Sequence, residues 1–136
     1  MIEFAVRDVS KIQWYEYGIY LFRHNLTGRV LYVGCSHWPK QRICQHRWGT
    51  PKSRFSQFLR ENMPDALDWL VEIYRADECD WLVQTYSPRA YASFKSTLDD
   101  LEHGNLSAFT AEAAMIEHCK PPYNYIRRYA NGKRTA

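Results

Sequence analysis

A chain of 136 residues, 46% of them hydrophobic, can bury one core of ordinary domain size, and no run in it approaches the roughly 18 uninterrupted apolar residues of a membrane helix. The N-terminal stretch Met1-Ile2-Glu3-Phe4-Ala5-Val6-Arg7-Asp8 lacks the basic-then-apolar layout of an export signal, and Cys35, Cys44, Cys79 and Cys119 show no Cys-x-x-Cys spacing, so the expectation is a cytoplasmic protein with reduced thiols and neither zinc ribbon nor disulfide framework. The net charge of +3 conceals segregation: residues 17–60 carry eight Lys and Arg with no Asp or Glu, whereas residues 61–112 carry eleven acids against three bases.

No repeat, low-complexity tract or Pro/Gly/Ser linker divides the chain, which predicts a single domain over residues 1–136. Residues 17–23, dense in Ile, Tyr and Phe, and residues 29–33 read as two strands joined by the short loop His24-Asn25-Leu26-Thr27-Gly28, a β-hairpin. Period-two alternation puts Tyr20 with Phe22 and Tyr32 with Val30, and the obvious register sets both tyrosines on one side. Ser36 and Pro39 open a helix over residues 38–47, from one face of which Arg42 and His46 project.

Thr50-Pro51 signals a second helix carrying Phe55, Phe58 and Leu59 and ending before Pro64. Residues 69–74 read as a third strand with Trp69, Val71 and Ile73 on one face, and residues 81–86 as a short fourth. Tyr91, Phe94, Leu98 and Leu101 repeat at helical spacing before Gly104, a C-cap. A last helix from near Ser107 carries Phe109, Glu112, Ala113 and Ile116 until Pro121-Pro122 stops it. The outline is a small α+β domain.

Gly18-Ile19-Tyr20, Tyr32-Val33-Gly34, Arg42 eight residues after that last glycine, and Glu112 followed by Ile116 and Pro121-Pro122-Tyr123-Asn124 form an ordered set of motifs. In this set the chain resembles the GIY-YIG nuclease family, over residues 17–124. The resemblance implies a three-stranded antiparallel sheet flanked by helices; residues 77–104 exceed its minimal core, as an insertion shaping substrate choice or a dimer contact or as an extra core layer, and residues 125–136 form a basic tail. It also implies a metal-dependent endonuclease, and Tyr20 as the general base. Relatives often carry lysine or a small polar residue directly after the second motif, where this chain has Cys35.

The residue types suit phosphodiester hydrolysis, which needs an activated water, neutralised charge and help for the departing oxygen. Glu112 supplies an oxygen ligand for Mg²⁺ or Mn²⁺, and Arg42 a permanently charged fork for the scissile phosphate. Arg42 and the metal would favour the Tyr20 phenolate; Tyr32 could relay or orient the proton, and His46 could assist or replace the base. Asn124 would bind phosphate or pin the end of the Glu112 helix. Glu117, five positions beyond Glu112, lies about 140° round the helix and cannot share its site.

DNA is the expected partner, held by the basic run including Lys40, Arg47, Lys52 and Arg54 and by the tail, with 3′-hydroxyl and 5′-phosphate products. Duplex, single-stranded and branched substrates stay open. Packing tyrosines and solvated charges account for each residue taken alone, and a catalytically silent nucleic-acid-binding or protein-interaction module on the same fold is the alternative.

Overall fold

Strand β2 (Gly18–Arg23, GIYLFR) is buried along its length except at Arg23, as a strand covered on both faces must be. It is central in an antiparallel sheet of order β1-β4-β2-β3, with β1 at Ile2–Ala5, β3 at Val30–Ser36 and β4 at Leu70–Arg75. This computed structural model describes residues 1–49, 53–95, 101–102 and 105–124. The hairpin loop closes through His24 N–H to the Arg29 carbonyl (2.9 Å) and Gly28 N–H to the His24 carbonyl (2.9 Å), with Gly28 in the left-handed region at φ 74°.

The sheet has four strands rather than three, and the fourth comes from the N-terminus. Residues 81–86, expected as a strand, lie in helix α3 (Cys79–Tyr86), because Cys79, Leu82 and Val83 form a buried stripe at helical spacing. Within the hairpin, Phe22 faces Tyr32 but Arg23 faces Val30, so the register skips Leu31. That bulge turns Leu31 and Tyr32 to the Tyr20 side and Val30 to the other, correcting the alternation expected for Val30.

Each face of the sheet carries its own apolar cluster. Tyr20, Phe22, Val71 and Ile73 pack under α1 (Pro39–Trp48) and α2 (Arg54–Glu61) through Ile43, Phe55 and Leu59. Ile19, Leu21, Val33 and Tyr74 pack under α3 and α5 (Ala108–Cys119) through Leu82, Ala111 and Met115. Part of the segment read as an insertion therefore contributes a core layer. Helix α4 (Pro88–Lys95) packs against α3, and a two-stranded ribbon pairs β5 (Leu101–Glu102) with β6 (Asn105–Leu106).

Leu101 is thus in a strand rather than in the helix expected from its spacing; Leu98 and Gly104 lie outside the described residues. Thr50-Pro51 lies outside them too, and Ser53 caps α2 by accepting the Ser56 N–H. Ser107 caps α5 in the same way from Thr110, and Lys120 ends it in the left-handed conformation. Phe109 is 70% exposed, because α5 packs through Ala108, Ala111, Ala114, Met115 and Ile116. Among the described residues no helix is long and apolar enough to cross a membrane.

Candidate active site

The outer strand β3 is where the two faces meet. Gly34 carries no side chain there, and the Tyr20 ring from the neighbouring strand occupies the space: a Cβ at position 34 would lie 2.6 Å from the Tyr20 Oη. Tyr20 is 2% exposed, and its Oη lies 3.2 Å from Nε2 of His46, which is itself 6% exposed on α1. Behind the imidazole, Nδ1 lies 2.9 Å from Ser56 Oγ, which also accepts from the Ser53 hydroxyl at 2.9 Å. The ring's tautomers give this chain opposite directions. With the proton on Nδ1 and shared with Ser56 Oγ, Nε2 accepts from the phenol; with the proton on Nε2, it donates to the phenol.

Tyr32 completes the aromatic wall. Its ring centroid lies 6.3 Å from that of Tyr20 and 5.2 Å from that of His46, and it stacks on Phe55 at 4.7 Å with the planes 10° apart. With Phe22, which packs edge-on against both rings, Tyr32 restricts Tyr20 and His46, which suits a site whose groups must keep one geometry.

The wall opens on a cleft of about 650 Å³, within the usual range for ligand sites, and Arg42 and Glu112 also line it. Arg42 and His46, four residues apart on α1, reach it from one side, and Glu112 reaches it from α5 across β3. Tyr20, Tyr32, Arg42, His46 and Glu112, named from their spacing in the sequence, therefore share one cavity. Glu117 is exposed and does not line it.

Burial pushes the Tyr20 phenol well above its ordinary value; Tyr32 adds to the rise, Arg42 opposes it, and Glu112 and Cys35 add further. Arg42 acts in the expected direction, but desolvation outweighs it, so the phenol holds its proton. Cys35 donates its thiol to Glu112 Oε1 at 3.4 Å and accepts from the Tyr17 hydroxyl at 3.5 Å. Burial pushes that thiol up to about 11, with Tyr17 opposing and Glu112 reinforcing the rise. A thiol so held is a poor nucleophile at neutral pH.

Asn124 lies outside the cleft lining. Its Oδ1 accepts the Val33 N–H at 2.6 Å and its Nδ2 donates to the Val33 carbonyl at 2.8 Å, so both ends of the amide grip the open edge of β3. Its bonds thus run to the strand, tying the segment after α5 to the sheet. Lys40 donates to the Ser10 carbonyl at 3.3 Å, and Arg47 to the carbonyls of Val6 and Arg7 at 3.3 and 3.4 Å. These two bases brace the N-terminal segment. Arg54 is exposed at the start of α2, and Lys52 lies outside the described residues.

Ser53, Ser56, Gln45 and Cys35 also line the cleft and carry no motif of their own. Only the capping position of Ser53 has a sequence signal, and that signal speaks of a helix start. Among the described residues no three His, Cys, Asp or Glu side chains are grouped to hold a metal ion. A single carboxylate fits a hard divalent cation of the Mg²⁺ kind, whose shell is completed by water and phosphate. Comparison with family models, with curated proteins and with solved structures returns no match.

Proposed function

We propose that the chain is a metal-dependent endonuclease of the GIY-YIG kind, hydrolysing DNA phosphodiesters in this cleft. The observation that carries the reading is convergence. Five residues spread from position 20 to position 112, each of a type that phosphodiester hydrolysis uses, line one cavity. Glu112 would hold a divalent cation, which when bound neutralises charge on the phosphate and the departing oxygen.

The chain's own groups divide the remaining work. Arg42 faces the scissile phosphate with a planar fork that can bond two of its oxygens. Tyr20, being protonated, acts with His46 rather than as a free phenolate. In the tautomer with Nδ1–H on Ser56, Nε2 takes the phenol proton while Tyr20 Oη takes one from the attacking water. Ser53 and Ser56 keep the imidazole in that orientation. Tyr32 excludes water from one side of the pair.

The test is cleavage of labelled duplex, single-stranded and branched DNA by the purified protein, with Mg²⁺ or with chelator. Cutting that requires the metal and disappears in Glu112→Ala is the expected result. Cutting that survives either change sinks the mechanism, and binding without any cutting favours the silent module.

A further inference from the structure

Helix α1 offers more than Arg42 and His46. Trp38, immediately before it, is 60% exposed, and Trp48, its last residue, is 55% exposed. The main chain of Trp38 and the ring of Trp48 are both held. The Trp38 N–H donates to Ser36 Oγ at 2.9 Å and its carbonyl accepts from the Arg42 N–H at 3.0 Å. The Arg47 guanidinium lies 4.1 Å from the Trp48 ring centroid and is itself anchored on the carbonyls of Val6 and Arg7.

At 100° per residue, positions 38, 41, 45 and 48 form one stripe along α1, beside Arg42, and the middle of that stripe lines the cleft through Gln45. At 1.5 Å per residue positions 38 and 48 stand about 15 Å apart along the helix axis, with Arg42 between them. That is about four nucleotides at the 3.4 Å spacing of stacked bases, within the range that single-strand binders cover.

We propose that Trp38 and Trp48 are base-stacking platforms and that the ligand they select is single-stranded nucleic acid, its backbone running past Arg42. A duplex keeps its base faces stacked inside, whereas a single strand can turn them onto exposed rings. Charge favours this ligand over a protein partner: the segment from 17 to 60 that carries both indoles contains no acid, and among the described residues Glu112 is the one carboxylate lining the cleft. The inference rests on the nuclease reading for the chemistry at Arg42, but it concerns binding alone.

The experiment measures anisotropy of a labelled oligothymidine of about 12 nucleotides and of a duplex of equal length, in chelator, so that no cleavage enters. Stacking of one base on one aromatic predicts that Trp38→Ala and Trp48→Ala each weaken single-strand binding by about 5- to 150-fold. Duplex binding, which starts weaker, should stay within about twofold. Both side chains are exposed, and circular dichroism verifies that the variants fold. Single-strand affinity unchanged in both variants, an equal loss on duplex, or a wild-type preference for duplex overturns the proposal. So does concentration-dependent self-association abolished by the same substitutions, which would assign the indoles to a protein contact. Cutting of duplex with Mg²⁺ but no single-strand preference would remove this inference and keep the nuclease; selective single-strand binding without cutting would do the reverse.

Discussion

Tyr20 and Gly34 face each other across the β2–β3 pair, and the phenol ring occupies the volume that any side chain at position 34 would take. The glycine is required for space rather than for backbone freedom, since Gly28 is the described glycine with positive φ. In Gly34→Ala the new methyl would meet Cζ and Oη of Tyr20 at 2.6 Å, and the ring, packed against Tyr32 and Phe22, has little room to retreat. Overpacking of this kind costs about 1–3 kcal/mol. Thermal unfolding should show the loss, and cleavage should fall by more than about tenfold because the 3.2 Å approach to His46 is broken. A variant with wild-type melting temperature and rate would mean that the ring is not fixed by this contact.

Tyr20→Phe separates packing from chemistry. The ring stays, the contact to His46 Nε2 goes, and stability should change by only about 0.5–1.5 kcal/mol. Cleavage should drop by about 10²-fold or more, the range of a lost proton-transfer group. If phenol and imidazole act in series, Tyr20→Phe combined with His46→Ala should be no slower than the worse single variant. Multiplicative losses in that cycle would show two independent roles, and a Tyr20→Phe protein that cuts normally would return the residue to the core.

Local pattern made much of this molecule readable. The GIYLFR strand, the hairpin loop, the strand after Trp69 and the Glu112 helix stand out because their apolar spacing is set by the backbone period alone. The four-residue β1 has too little alternation to be seen, and it becomes a strand by pairing with β4. Trp81-Leu82-Val83 is a short apolar run compatible with either period, and its packing against α5, in one cluster with Ile19, Leu21 and Tyr74 of the sheet, makes it helical. The same division holds at the cleft. Tyr20, Tyr32, Arg42 and Glu112 sit at motif offsets and His46 one turn after Arg42, whereas the Ser53–Ser56–His46 chain exists only because α2 packs on α1.

Asn124 is a motif residue whose bonds run to the edge of the sheet rather than into the cleft. Asn124→Ala would leave the Val33 N–H and carbonyl on the edge of β3 without their side-chain partner. A backbone pair that loses its bonds in a part-buried setting costs about 1–3 kcal/mol. Urea unfolding should move to a lower midpoint by that amount, and the Val33 amide should exchange with solvent faster. Cleavage, measured below the unfolding range, should decline less than in Glu112→Ala. If stability is unchanged while cleavage is abolished, Asn124 serves the phosphate and not the strand.

Alkaline stability carries the signature of Cys35. Its folded-state thiol titrates at about 11 against an ordinary 9.0, so the native state holds the proton more tightly than the unfolded chain does. The stabilisation is therefore complete below about pH 9 and is lost as pH rises towards 11. Discounted for the partial exposure of the thiol, the loss amounts to about 1 kcal/mol. Tyr20, raised above an ordinary 10.0, adds a decline that begins at higher pH and continues beyond this window. Urea midpoints measured from pH 8 to 11 should accordingly fall for the wild type from pH 9 onward. In Cys35→Ser the fall above pH 9 should be shallower but not absent, because burial also raises the Cys44 and Cys119 thiols above their ordinary value. Coincident curves for the two proteins would mean that burial beside Glu112 does not hold the Cys35 proton in the folded state.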